Sequence, residues 1–234
     1  MRYGEIPGVK KPVARVIQGG TMIGSDLDEG ESFALLNQVY ELGCNTIDTA
    51  HVYSGGESER VIGKWMKERG LRKEITIITK GAAHSKDRHR MTPFDIASDL
   101  HDSLARLKTD YIDLYLLHRD DPEVPVEPII DALNEHLQTG CIHAFGASNW
   151  SHERIEAANS YAHSNGRETF VASSPQFSLG ESLDEPWPLC ISISGSLGKA
   201  AREWYAQTQM PLLIWSPVAS GSGFRESSST RCRR

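Results

Sequence analysis

The chain has 234 residues, 39% of them hydrophobic and 24% charged, enough for one sizeable core and consistent with a single main domain. Its net charge of −6 argues against a nucleic-acid partner, no apolar run approaches the ~18 residues that span a bilayer, and the opening MRYGEIPGVKKPV lacks the apolar centre of a signal peptide. The expectation is a cytoplasmic protein that handles small molecules, with Cys44, Cys141, Cys190 and Cys232 too scattered for a disulfide framework or a zinc knuckle.

In chain order, β-branched runs alternate with stretches of helical period. The first strand candidate is VARVIQGG (13 to 20), followed by a helix with Phe33, Leu36 and Val39 on one face. NTIDTA (45 to 50) leads to Ile62, Trp65 and Met66, and ITIITK (75 to 80) leads to Ile96, Leu100, Leu104 and Leu107. YIDLYLLH (111 to 118) precedes Ile130, Leu133 and Leu137, and IHAFGAS (142 to 148) precedes Ile155, Ala158 and Ala162. FVASSPQF (170 to 177), a helix through Leu197, Ala201 and Trp204, and PLLIWSP (211 to 217) complete the series. Thr92 with Pro93, and Ser151, are placed as helix starts; Gly43, Gly70 and Gly140 stand where helices stop.

Such a βαβα series implies a parallel sheet covered by helices, either an open doubly wound sheet or a (β/α)8 barrel. A dinucleotide-binding open sheet carries G-x-G-x-x-G after its first strand, and GGTMIGSD does not have that spacing. The barrel is the better fit. Its active site forms at the C-terminal ends of the strands, which here are Asp48, Lys80, His118, Ser148 with Asn149, Gln176, and Trp215 with Ser216.

Taken singly, each of these has a plain structural explanation: a solvated lysine, a hydrogen-bonded core histidine, an aspartate capping a turn. Their conjunction on three neighbouring strands, with Tyr53 on the loop above Asp48, says more. A carboxylate that ends a core strand needs a cation, and Lys80 is placed to supply it. A nearby ammonium also favours the phenolate of a tyrosine, whose free pKa is about 10. Tyr53 could then protonate a carbonyl oxygen while His118 donates a hydrogen bond to it. No serine or cysteine is paired with a base, so hydride from a bound nicotinamide is the natural nucleophile.

The segments IDTAHVYSGGESERVIG, TIITKG, DYIDLYLLHRDD, GASNW, SSPQFS and IWSPVASG together resemble the aldo-keto reductase superfamily, from about residue 10 to residue 223. The resemblance implies a TIM-type (β/α)8 barrel entered through an N-terminal β-hairpin, and NADP(H)-dependent reduction of aldehyde or ketone carbonyls to alcohols. Carried over by motif, Asp48, Tyr53, Lys80 and His118 are the catalytic tetrad, with Tyr53 the general acid. Ser148, Asn149 and Gln176 hold the nicotinamide carboxamide, Trp215 packs on its ring, and Ser216, Val218 and Ser220 begin the pyrophosphate-contacting loop.

The family pattern continues through an eighth strand and helix, whereas here it gives way to GSGFRESSSTRCRR. The expectation is a barrel domain over residues 1–223 with about seven strands, incomplete at its C-terminal side, and a disordered tail over 224–234. Two open sheet edges could then pair with a second copy. The rival within the same fold is a non-catalytic or degenerate nicotinamide-binding member, either a regulatory subunit or a fragment. Other classes are weaker: HRD in HRDDPEVPVEP lacks the Asn of a kinase catalytic loop, and no His pair closes strand one as in a metal-dependent barrel hydrolase.

Overall fold

The computed structural model describes residues 1–180 and 189–218, so Ser220 and the expected tail 224–234 lie outside the described residues. The chain opens with an antiparallel hairpin, β1 (Tyr3–Gly4) against β2 (Val13–Ala14). Six parallel strands follow in sequential order: β3 (Gln18–Gly19), β4 (Thr46–Asp48), β5 (Thr76–Gly81), β6 (Leu114–Leu117), β7 (Phe145–Ser148) and β8 (Ser173–Ser174). The helices lie outside the curled sheet: α1 (Glu29–Glu41), α2 (Glu57–Arg69), α3 (Pro93–Leu107), α4 (Val126–Gln138), α5 (His152–Ser164) and α6 (Lys199–Thr208). This is the incomplete (β/α)8 barrel with an N-terminal hairpin that the sequence predicts.

Two expected strands take a different form. The run 13 to 20 divides, its first part closing the hairpin and its last part entering the sheet. Segment 211 to 217 runs beside β8 through isolated parallel bridges, Ser173 to Leu212 and Gln176 to Trp215, rather than a continuous ladder. Prolines 211 and 217 bound that segment and cannot donate to a ladder, which limits its pairing.

Strand alternation sorts the core into two layers. On β5 and β6, Ile77, Tyr115 and Leu117 pack outward with Trp65 and Met66 of α2 and Ile96 and Leu100 of α3. Ile78, Leu114 and Leu116 face inward, where Ile6 and Val13 of the hairpin plug the lower end of the barrel. The same period of two points Asp48 and Lys80 inward at the upper end. Gly146 allows β7 to approach its neighbours closely, since a Cβ there would lie 2.3 Å from the Ala172 carbonyl oxygen.

The helix boundaries follow local chemistry. Thr92 caps α3 through Asp95 N, Asp95 answers toward the Thr92 backbone, and Pro93 occupies the first turn. Ser151 accepts from Arg154 N at the start of α5. Gly70 closes α2 in the left-handed region at φ 69°.

Candidate active site

At the upper end of the sheet, Lys80 Nζ donates to both oxygens of Asp48, each at 2.7 Å, and to the Thr49 carbonyl oxygen at 2.9 Å. Three oxygens thereby hold the ammonium. The Lys80 side chain is 4% exposed and that of Asp48 29%, so the pair sits in the wall of the barrel mouth with the carboxylate toward the opening. Burial disfavours the Lys80 charge, but the carboxylate of Asp48 and the neighbouring Tyr53 overcome it, and the pKa is raised.

Tyr53 opens a single 3-10 turn, Tyr53–Gly56, that links β4 to α2. Its ring centroid lies 5.2 Å from Lys80 Nζ and 5.7 Å from the His118 ring, edge on. His118 follows β6, its amide bonded to the Gly81 carbonyl at 2.8 Å. Burial, then the charges of Lys80 and Arg119 and the adjacent His84, push the His118 pKa well below the usual histidine value, so the imidazole is neutral. Its Nδ1 is buried with no hydrogen-bond partner among the described residues. A buried N–H without an acceptor is costly, which favours the tautomer with the proton on Nε2.

One cavity of ≈ 750 Å³ is lined by Asp48, Tyr53, Lys80 and His118 together with Ser148, Asn149, Trp215 and Ser216. This volume falls within the usual range of small-molecule and cofactor sites. Ser148 closes β7 and donates to the Ser174 carbonyl at 3.0 Å. Asn149 stands at φ 57°, and its amide nitrogen bridges the His118 carbonyl at 3.2 Å and Ser148 Oγ at 3.0 Å. That bridge ties the end of β7 to the end of β6.

The remaining predicted positions divide. Gln176 is buried, and its side-chain oxygen accepts from Ser192 Oγ at 2.5 Å and Ser194 Oγ at 3.1 Å. Val218 is 65% exposed beyond the cavity lining, and Ser220 is outside the described residues.

Sequence reasoning missed the Thr49 carbonyl, because a backbone acceptor leaves no mark in residue type. It also missed Arg119, Gly19, Gly20 and Ser174, which share the cavity wall. Arg119 directly follows His118, so its place at a strand end was a usable signal.

Comparison with known proteins finds relatives in one family. The model of the Aldo/keto reductase family matches residues 15–230. Over 147 residues the chain is 37% identical to "Aldo-keto reductase YhdN" of Bacillus subtilis (strain 168), covering 62% of this chain and 44% of that protein. It is 38% identical over 199 residues to the "Putative voltage-gated potassium channel subunit beta" of Schizosaccharomyces pombe, covering 80% of this chain and 52% of the other. Among solved structures, the thermostable aldo-keto reductase Tm1743 in complex with the inhibitor epalrestat superimposes with a TM-score of 0.75 at 26% identity, over 94% of this chain and 74% of that one. The chain spans about half the length of the curated relatives it matches.

Proposed function

The chain belongs to the aldo/keto reductase family, and from that membership and the geometry of its cavity we propose that it reduces aldehyde or ketone carbonyls to alcohols with NADPH. The observation that carries this reading is the Lys80 ammonium, pinned by both oxygens of Asp48, in a cavity that also holds Tyr53 and a neutral His118.

Each residue has a role that follows from its surroundings. Tyr53 is the proton donor to the carbonyl oxygen, and the ammonium 5.2 Å from its ring stabilises the negative charge left on the phenol. Asp48 fixes the lysine in place and keeps it charged despite burial. Neutral His118, protonated on Nε2, donates to the same carbonyl oxygen and orients it without adding a second cation to the pocket. A reduced nicotinamide, when bound, supplies hydride to the carbonyl carbon. The residues present suit such a group: hydroxyl and amide of Ser148 and Asn149 for a carboxamide, the indole of Trp215 for a flat ring, and Ser216 at the start of a phosphate-contacting loop. Gln176 and Val218 belong to the same reading by motif alone: neither lines the cavity, and the Gln176 side-chain oxygen already accepts from Ser192 and Ser194.

The test is consumption of NADPH by the purified chain with an aromatic aldehyde, compared with Tyr53→Phe. Turnover in the parent that falls in the variant supports the assignment, and equal turnover in both removes it. The second reading is a non-catalytic nicotinamide-binding member of the same fold, such as a regulatory subunit, and the similarity to a putative potassium-channel β subunit supports it only weakly. Saturable quenching of NADPH fluorescence with no aldehyde-dependent consumption would select it.

A further inference from the structure

Behind the Tyr53 turn lies a buried ionic network that this chemistry does not use. Glu59 of α2 is fully buried; its Oε1 accepts from Thr79 Oγ1, the residue before Lys80, at 2.7 Å. Its Oε2 meets Arg106 Nη1 at 3.3 Å, and that same Nη1 donates to the His51 carbonyl at 2.8 Å. The other arm of the fork, Nη2, lies 3.7 Å from Asp102, whose carboxylate is 3.2 Å from His51 Nε2. The guanidinium also lies under Gly56, where a Cβ would come within 2.5 Å of Nη1. One side chain of α3 thus touches the chain on both sides of Tyr53.

The turn needs such support. Ser54 stands at φ 52° and Gly55 at φ 62°, and Gly56 continues at φ 90°. A left-handed serine is strained, and strain of this kind persists only where the surroundings over-determine it. The backbone bonds from His51 N to the Lys80 carbonyl at 2.8 Å and from Tyr53 N to the Ala50 carbonyl at 3.0 Å hold the near side. Arg106 holds the far side. A buried carboxylate and guanidinium also cost desolvation, and an apolar pair of similar volume would stabilise the helix contact at least as well. What the apolar pair could not do is grip a backbone carbonyl beside the site.

We propose that Arg106 is a positioning residue, which holds the segment 51 to 56 so that Tyr53 stays against Lys80 and His118; the inference rests on the reading of Tyr53 as proton donor. Misplacing a reacting group by about 1 Å costs about 10²-fold in rate, so loosening this turn acts on turnover far more than on substrate binding.

Arg106→Lys keeps a positive charge beside Glu59 but loses the planar fork that reaches the His51 carbonyl, and Arg106→Gln loses both. In the full chain, hydrogen exchange of the amides of residues 51 to 56 is expected to rise about tenfold or more in the lysine variant, with β6 amides unchanged. With 4-nitrobenzaldehyde and NADPH, kcat falls about 10- to 100-fold while KM stays within about threefold. Because Arg106 acts through Tyr53, adding Arg106→Lys to Tyr53→Phe slows the enzyme no further than Tyr53→Phe alone. Unchanged exchange in Arg106→Lys overturns the inference, as does a further loss of rate in the double variant equal to the loss in the single one. If Arg106→Gln fails to fold, the lysine variant decides. A parent chain without turnover overturns the carbonyl-reductase reading instead, and the exchange rates then judge the hold of Arg106 on the turn by themselves.

Discussion

Asp113 at the lower end of the barrel and Asp48 at the upper end are both paired with cations but left in different states. At the lower end Asp113, fully buried, is met by Arg72 Nη1 at 2.9 Å, Lys11 Nζ at 2.8 Å and the Ile77 amide at 2.9 Å. Lys11 comes from the hairpin and Arg72 from the connection after α2, so Asp113 staples both to the foot of β6. The Arg72 guanidinium then stacks on Tyr111 at 3.8 Å, whose ring lies flat against His143. Each oxygen of Asp113 faces a cation, Lys11 at Oδ1 and Arg72 at Oδ2. At the upper end Asp48 has one cation, keeps 29% of its side chain exposed, and borders a cavity that also holds Tyr53 and His118. Charge pairing in a barrel is therefore not itself the mark of a site. The mark is a pair left with an open side and other titratable groups across the gap.

The comparison breaks most visibly at the foot. Replacing Arg72 and Lys11 together by methionine leaves Asp113 buried without a cation and should cost about 3–5 kcal/mol of stability by denaturant unfolding. The protein that remains folded should keep its kcat within about twofold, and a large loss of kcat would show that the two ends are coupled.

At the mouth the order of effects reverses. Tyr53→Phe should lower turnover by about 10²-fold or more, about 2.7 kcal/mol in the barrier, with NADPH affinity and melting temperature nearly unchanged. Steady-state kinetics beside fluorescence titration separates the two quantities.

Lys80→Met probes both properties of the upper pair. It should abolish reduction and cost about 1–3 kcal/mol of stability, less than the removal of both lower cations, because Asp48 reaches solvent. Adding Asp48→Leu should restore much of the stability and none of the activity. If single and double variants melt alike, the pair is not coupled.

A third carboxylate sharpens the contrast with the smallest effect. Asp95, at the start of α3, is held at about 2 against an ordinary 3.8, chiefly by the Arg88 hydrogen bonds, which with those of Thr92 outweigh burial. Its folded pKa is depressed, so its contribution to stability is complete above the unfolded value near 4 and is lost as pH falls through about 2. The melting temperature of the parent should slope downward across that window, and Asp95→Asn should flatten the slope. An unchanged slope would assign the acid sensitivity to other carboxylates.

The architecture and the upper site were largely legible in the residues, because both leave local marks. A period of two on β5 and β6 separates the inward Ile78 and Leu116 from the outward Ile77 and Leu117, and a charge that ends such a run has to face the barrel mouth. Thr92 with Pro93, Ser151 and Gly70 mark helix ends through bonds that span three or four residues. Proximity in sequence is enough for all of these.

The lower staple, the Arg106 hold on the Tyr53 turn and the partners of Gln176 join residues far apart in the chain, and tertiary structure alone decided them. Asp113 in a strand motif carries no sign that Lys11 will reach it from the hairpin. Glu59 does carry a partial one, since it shares the apolar face of α2 with Ile62 and Met66, a place where a carboxylate needs a partner. Which cation answers cannot be read from that face, and Arg106 and Lys80 each also bind a backbone carbonyl. Every residue type presents that same oxygen, so only the path of the folded chain determines which one lies within reach of the donor.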